Sequence, residues 1–80
     1  MKKILTIEYD KERELIELHL NKTGAEFLRN YLSRLIELNY ESDSHWMTPD
    51  WGGDELSSDL QNLNNGMKLI HHLKIMYSNE

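Results

Sequence analysis

The spacing of apolar residues changes along the chain, and this change restricts the possible folds more than any other feature of the sequence. Between residues 5 and 20 apolar side chains recur at every second position, in two runs: Leu5, Ile7 and Tyr9, then Ile16, Leu18 and Leu20. A period of two is typical of strands that bury one face. The charged segment 10–13 predicts an antiparallel hairpin, whose turn type stays open because the segment has no Gly or Asn.

From residue 23 onward the spacing becomes that of a helix. Thr23 followed by Glu26 is the pattern of a capping box, in which both side chains hydrogen-bond to free backbone N–H groups at a helix start. Leucine and tyrosine then follow at intervals of three and four residues: Leu28, Tyr31, Leu32, Leu35 and Leu38. The sequence predicts an amphipathic helix of about four turns, ending near Leu38 or Asn39, that lies on one face of the sheet.

The chain beyond this helix is less regular. His45–Met47 is a candidate short strand, and Pro49 with the paired Gly52 and Gly53 marks an interruption. Residues 55–60 are a candidate for a further short element, and the Asn-Gly sequence that ends at Gly66 is typical of a turn. Apolar residues alternate again over residues 67–77, which predicts the longest strand and places it centrally in the sheet.

These elements give the order β-β-α-β-β within a single domain, residues 1–80. We expect an α+β fold with a largely antiparallel four- or five-stranded sheet covered on one face by a single helix. The apolar content of 39% is enough for one core without disulfides or a structural metal. The second face of the sheet also needs cover, for which Ile70, Met76, the tryptophans and a partner protein are candidates.

Cysteine and targeting signals are absent from the sequence. No apolar run approaches the roughly 20 residues needed to cross a bilayer, and the first residues do not form a signal peptide. Because no disulfide framework or export signal is present, we expect a cytoplasmic protein without membrane association.

The net charge of −5 is distributed unevenly along the chain. Residues 1–40 carry seven Lys or Arg and seven Asp or Glu, whereas residues 41–80 carry two and seven. Segment 41–66 contains six acids and no Lys or Arg: Glu41, Asp43, Asp50, Asp54, Glu55 and Asp59. This distribution disfavours a nucleic-acid partner, since phosphate binding needs cationic groups. The acids are either solvated loop charges or a surface for a cationic partner.

Both tryptophans lie inside this acidic segment. Tryptophan often dominates the binding energy of protein interfaces. The candidate binding residues are therefore Trp46, Trp51, Asp50, Asp54 and Glu55. The alternative is that the tryptophans fill the core, because so small a domain has few large side chains for that purpose.

Histidine is the residue type best suited to a metal site, and the chain has four. His71 and His72 are adjacent on a predicted strand, so their side chains leave opposite faces and do not readily share one ion. The acidic segment lacks the ligand spacing of a calcium loop, and no nucleophile or phosphate-binding motif is present. We expect no metal, no cofactor and no catalytic residues. The alternative is a small hydrolase or metal-dependent enzyme that combines His45, His71 or His72 with an acid.

The order of several short motifs resembles the immunity protein 32 family of bacterial polymorphic toxin systems. The motifs are Ile16-Glu-Leu-His-Leu-Asn-Lys-Thr-Gly24, the helical Leu28, Leu32 and Leu35, His45-Trp-Met-Thr48, Trp51-Gly-Gly53 with Glu55-Leu56, and Ile70-His-His-Leu-Lys-Ile75. Each motif is short, so the specificity of the resemblance comes from their order and spacing over residues 14–76.

This resemblance implies a small cytoplasmic α+β protein that binds a cognate toxin domain and blocks it by stoichiometric occlusion, without catalysis. Many toxin domains are nucleases with cationic substrate clefts, so an acidic inhibitor gains association rate from complementary charge. Asp50 and Asp54 are not part of the resembling motifs, and their assignment rests on charge alone. The alternative is a structural or regulatory subunit that completes its sheet by homodimerisation and buries Ile70 and Met76.

Overall fold

The computed structural model describes residues 2–80 and contains one long helix and five strands. The elements are β1 (Leu5–Asp10), β2 (Leu15–Leu20), α1 (Lys22–Leu38), β3 (Ser42–Met47), a single 3₁₀ turn (Pro49–Trp51), β4 (Met67–Leu69) and β5 (His72–Tyr77). All strand pairs are antiparallel, in one sheet of order β2-β1-β4 and a second of order β3-β5. The predicted α+β class and element order are confirmed, with the five strands divided into three and two.

The β1–β2 hairpin forms in the register that the alternation requires. Ile7 lies opposite Leu18, so the apolar side chains of both strands share one face of the sheet. The turn has no Gly or Asn, and the carboxylate of Asp10 closes it by accepting the backbone N–H groups of Glu12 (3.1 Å) and Arg13 (3.3 Å). A carboxylate that binds backbone two and three residues further on forms the same turn that Asn forms elsewhere.

Helix α1 begins earlier than the capping box predicts. The residue at its N-cap is Asn21, whose Oδ1 accepts the N–H of Gly24 at 2.9 Å, so the assignment of the cap to Thr23 was wrong. The same oxygen accepts the N–H of Ile4 at 2.9 Å and thereby ties the helix start to the segment before β1. The predicted end is confirmed, because Asn39 closes the helix in the left-handed conformation (φ 51°).

The prediction of one long central strand over residues 67–77 was wrong. β4 pairs with β1, whereas β5 pairs with β3, and the chain breaks between them at Ile70 and His71. Ile70 and Leu73 both pack against the core although they are three residues apart. A regular strand would place them on opposite faces, so burying both requires the break. Residues 52–66 form no helix or strand, so the short element considered at 55–60 is absent from this described segment.

The hydrophobic core lies between α1 and one face of the strands. Its buried centre consists of Leu5, Ile7, Trp46 and Leu56, and six partly buried side chains pack around it: Phe27, Leu28, Tyr31, Ile70, Leu73 and Ile75. The Trp46 ring makes edge-to-face contacts with Phe27 and Tyr31, at centroid distances of 5.2 and 4.8 Å. Such contacts add to the free energy of burial and orient the indole.

The opposite face of β1 is buried by polar contacts rather than by the apolar side chains expected there. Thr6 and Glu8 are fully buried, and segment 57–62 crosses over them. Glu8 accepts the backbone N–H groups of Gln61 and Asn62, which explains how a loop without secondary structure keeps a fixed position. This face therefore needs neither the tryptophans nor a partner protein to cover it.

Candidate functional site

Trp51 is the exposed tryptophan of the pair, and a short turn holds it in place. The backbone N–H of Trp51 donates to the carbonyl of Thr48 (2.9 Å), and the backbone N–H of Gly52 donates to the carbonyl of Pro49 (3.0 Å). Gly52 ends the turn at a φ of 92°, a conformation that favours glycine. Trp51 is 58% exposed, so it is available to a partner.

The imidazole of His71 stacks on the exposed indole of Trp51. The two rings are parallel within 1°, with centroids 5.5 Å apart. His71 is itself fixed, because its Nδ1 lies 2.7 Å from the hydroxyl of the fully buried Thr48. Stacking on a fixed imidazole favours this orientation of the indole in the free protein, which lowers the entropy that binding would cost.

His45 and His72 extend this aromatic surface. Nδ1 of His45 lies 2.8 Å from Nε2 of His72, and the His72 ring centroid is 6.4 Å from that of Trp51. We call the four rings of Trp51, His71, His72 and His45 the Trp51 surface. The prediction that His71 and His72 leave opposite faces of one strand was wrong, because His71 lies in the break between β4 and β5 and both rings lie beside Trp51. The contact between His45 and His72 was not predicted from the sequence.

Trp46 does not belong to this surface. It is only 5% exposed and lies at the centre of the core. The core alternative holds for Trp46, whereas Trp51 is exposed. Trp46 fills the core, and Trp51 is the candidate anchor.

Asp50 and Asp54, which flank Trp51 in the sequence, are both exposed. Neither carboxylate forms an ion pair within residues 2–80. The ammonium of Lys3 donates to the backbone carbonyl of Asp54 at 2.7 Å, which leaves the Asp54 carboxylate free of that contact. These two acids remain available to a cationic partner.

Other acids of segment 41–66 are compensated by lysines from outside it. Asp59 pairs with Lys2, and Asp43 lies 3.6 Å from the ammonium of Lys74. The charge count along the sequence could not detect this compensation, because Lys2 and Asp59 are 57 residues apart. The acidic surface is consequently smaller than the count of six acids suggests.

Glu55 has a structural role that its sequence position did not reveal. Its Oε1 accepts the N–H of Met47 at 3.1 Å, and this hydrogen bond lowers the pKa of the carboxyl against the opposing effect of burial. The N–H of Leu56 donates to the carbonyl of Met47 at 3.2 Å. Glu55 thus fastens the chain after Gly53 to the end of β3, and it is half-buried rather than free on the surface.

A cluster of Glu8, Glu17 and His19 was missed by sequence reasoning. Nε2 of His19 lies 2.9 Å from Glu17 and 3.5 Å from Glu8, and this is the one group of three metal-type ligands within residues 2–80. The sequence pattern could have revealed this cluster, since Glu17 and His19 are two residues apart on β2 and Glu17 lies opposite Glu8 in the hairpin register. The sequence analysis used the alternation only to assign the apolar face.

The environment of Glu8 indicates a structural carboxylate rather than a free metal ligand. Burial raises its pKa, but the N–H groups of Gln61 (2.7 Å) and Asn62 (3.0 Å), the hydroxyl of Thr6 and the charge of His19 outweigh burial and lower it. Both carboxylate oxygens are occupied by these donors. Coordination of an ion would displace bonds that hold segment 57–62.

The Thr48 hydroxyl and the His71 ring are close enough to act as a nucleophile and a base. A separation of 2.7 Å is within the range of such pairs. Thr48 is fully buried, however, and a substrate atom cannot reach its hydroxyl in this conformation. The contact serves to orient His71 beneath Trp51.

Comparisons of the chain with protein-family models, with curated proteins and with solved structures find no match in any of the three. Within residues 2–80, no helix combines the length and the apolar character needed to span a bilayer. The resemblance to the immunity protein 32 family remains a prediction from the sequence motifs.

Proposed function

We propose that this protein is a non-enzymatic immunity protein that binds a cognate bacterial toxin domain and neutralises it by occlusion. The observation that carries the proposal is the exposed ring of Trp51, which stacks on His71 and is flanked in the sequence by Asp50 and Asp54, two exposed carboxylates that form no ion pair within residues 2–80. A fixed aromatic side chain in this setting is the usual centre of a protein-binding surface. The motif order that resembles immunity proteins supplies the class of partner.

The site is smaller than the five residues that the sequence suggested. Trp51 is the anchor, and Asp50 and Asp54 act on the approach of a cationic toxin through long-range attraction and pairing with Lys or Arg. Trp46 and Glu55 contribute indirectly, because the core and the end of β3 fix the turn that carries Trp51.

A binding experiment with the toxin domain encoded immediately upstream tests this proposal. Trp51→Ala should weaken the complex by roughly 30-fold or more, the loss typical of an interface hot spot. Leu63→Ala is the matched control, since Leu63 is an exposed apolar residue outside the Trp51 surface. Unchanged affinity for Trp51→Ala, with the control also unchanged, would contradict the site.

The role of the two carboxylates is tested separately through association rates. The double variant Asp50→Asn with Asp54→Asn should lower the association rate and reduce its dependence on salt, while the dissociation rate changes less. Substitution of Glu37 by Gln on the exposed surface of α1 removes a carboxylate elsewhere and is the control. Equal rates for all three proteins would show that charge at Asp50 and Asp54 has no part in binding.

The alternative function, a subunit that acts through homodimerisation, needs a different surface from the one first assigned. Ile70 packs against the core, whereas Met76 is exposed on β5, so the two residues do not form one face. The observation that favours a dimer is the exposed apolar surface of β2. That surface is independent of toxin binding.

A further inference from the structure

Strand β2 is an edge strand with an unusual number of exposed apolar residues. It pairs with β1 on one side, and no described strand pairs with its other side. Four of its six residues are large apolar side chains exposed to solvent: Leu15, Ile16, Leu18 and Leu20. Ile16 and Leu18 are 65% and 50% exposed. Edge strands of stable monomers are normally protected by charge, proline or a covering segment.

The neighbouring flank of α1 continues this apolar surface. Leu28 lines a groove of about 250 Å³ together with Ile16 and Leu18, and the groove floor is formed by core side chains. Leu32 and Ile36 follow Leu28 at intervals of four residues, so they lie along the same flank of the helix. Both are exposed, Ile36 to 71%.

The apolar exposure of the molecule is concentrated at this place. Of eleven large apolar residues exposed within residues 2–80, five belong to the groove face of β2 or to this flank of α1, and Leu15 lies on the opposite face of β2. A contiguous apolar surface beside an unpaired strand edge is typical of an interface.

We propose that a second copy of this chain occupies the surface, with the two β2 strands paired antiparallel about a two-fold axis at Leu18. The sequence of β2 is complementary to itself in this register. Leu18 meets Leu18 of the second copy, and Ile16 meets Leu20 on either side of it, all on the face that carries the groove. The three-stranded sheet then continues as one sheet of six strands with both helices on the same face.

The charges of β2 select this register over its neighbours. Glu17 and His19 already lie 2.9 Å apart within one copy, and antiparallel pairing about Leu18 places Glu17 of each copy opposite His19 of the other, so the contact between carboxylate and imidazole continues across the axis. Pairing about Glu17 would bring two carboxylates together, and pairing about His19 would bring two imidazoles together. A shift by an odd number of residues would turn the apolar face of one copy to the polar face of the other.

Self-complementarity is the reason for assigning the surface to a second copy rather than to another protein. An extended segment of another protein could also pair with the edge. The pattern of β2 specifies no such sequence, whereas it does match a second copy of itself. A symmetric pair satisfies the apolar face and the charged face at the same time. The inference does not depend on toxin binding, which uses the Trp51 surface.

Sedimentation of the full chain tests the proposal directly. The wild type should sediment with twice the monomer mass of 9.5 kDa at about 100 μM, a concentration that populates even a dimer with micromolar Kd. Leu18→Lys should be monomeric, because two ammonium groups would meet at the axis. Leu63→Lys, at the 83% exposed Leu63, is the control and should remain dimeric. A monomeric wild type, or a dimer in all three proteins, would overturn the proposal.

Crosslinking tests the register even if Leu18→Lys were poorly folded. The chain has no cysteine, so Leu18→Cys introduces a single thiol on the proposed axis. Opposed Cα atoms of antiparallel strands are 4.5–5.5 Å apart, which is within the range of a disulfide. Mild oxidation should therefore convert Leu18→Cys to a covalent dimer, and Leu63→Cys should stay monomeric on a denaturing gel. Equal crosslinking of both variants would contradict the assigned axis.

Discussion

The carboxylate of Glu8 and the backbone of Gln61 are joined by a 2.7 Å hydrogen bond that spans 53 residues of sequence. The same carboxylate accepts the N–H of Asn62, so one buried side chain on β1 fixes the loop that covers the second face of the sheet. The stability of this half of the molecule thus depends on a polar group.

Replacement of Glu8 by Gln should be strongly destabilising. An amide keeps the shape but offers one oxygen where two accepted hydrogen bonds, so at least one buried donor loses its partner, at a cost of about 2–3 kcal/mol in the free energy of unfolding. Glu17→Gln is the matched control, because Glu17 is more exposed and keeps an acceptor for Asn62. Urea denaturation measures both, and equal losses would contradict the role given to Glu8.

Acid should lower the free energy of unfolding by protonating Glu8, Glu17 and Glu55. The pKa values of Glu8, Glu17 and Glu55 lie below their ordinary value, since each accepts hydrogen bonds in the native state. A lowered native pKa means that the unfolded chain binds more protons as pH falls, so stability is complete above the ordinary glutamate pKa of about 4.3 and declines below it. Unfolding free energies measured from pH 7 to pH 3 should show this decline. The difference between wild type and Glu8→Gln should be smaller at pH 3 than at pH 7, and a constant difference would contradict the assignment.

Mutation of the two tryptophans should lower the free energy of unfolding by very different amounts. Trp46→Ala leaves a cavity among Phe27, Tyr31 and the buried leucines, with an expected loss of about 3–5 kcal/mol, enough to unfold a domain of this size. Trp51→Ala removes an exposed side chain, with an expected loss of about 1 kcal/mol or less. Thermal unfolding followed by circular dichroism distinguishes them. Comparable losses would show that Trp51 has a core role.

Gly24→Ala should destabilise the protein although alanine is the better helix former. In an exposed helix interior this change is favourable by about 1 kcal/mol. At this position a Cβ would collide with the carbonyl oxygen of Ile4, where the chain passes close to the first turn of α1. Overpacking of a buried site costs about 1–3 kcal/mol. Ser33→Ala, on the exposed surface of α1, is the control and should be neutral or slightly stabilising; a stabilised Gly24→Ala would contradict the close approach.

Sequence reasoning succeeded where local periodicity alone decides the structure. The alternation of β1 and β2 and the amphipathic pattern of α1 gave the hairpin, the helix and the buried positions of Leu5 and Ile7. Sequence reasoning failed where the structure depends on packing against distant parts of the chain. The break after β4 follows from the joint burial of Ile70 and Leu73, and no local pattern records that requirement.

The candidate site could be predicted in composition but not in geometry. The sequence places Trp51 and its acids in one segment, yet the ring that stacks on the indole belongs to His71, 20 positions further on, in the break between β4 and β5. The compensation of Asp59 by Lys2 is equally remote. Contacts of this kind depend on the assembled sheet order, which the period of a strand does not specify.

Mutations at the start of α1 distinguish the cap predicted from the sequence from the cap that the structure shows. A capping box would make Thr23 the residue whose loss weakens the helix, whereas the structure gives that role to Asn21. The Oδ1 of Asn21 accepts two backbone N–H groups, from Gly24 and Ile4, so Asn21→Ala should lower the free energy of unfolding by about 1–2 kcal/mol. Thr23→Ala should change it by about 0.5 kcal/mol or less. Urea unfolding of the two variants decides between the caps, and a larger loss for Thr23→Ala would restore the capping box.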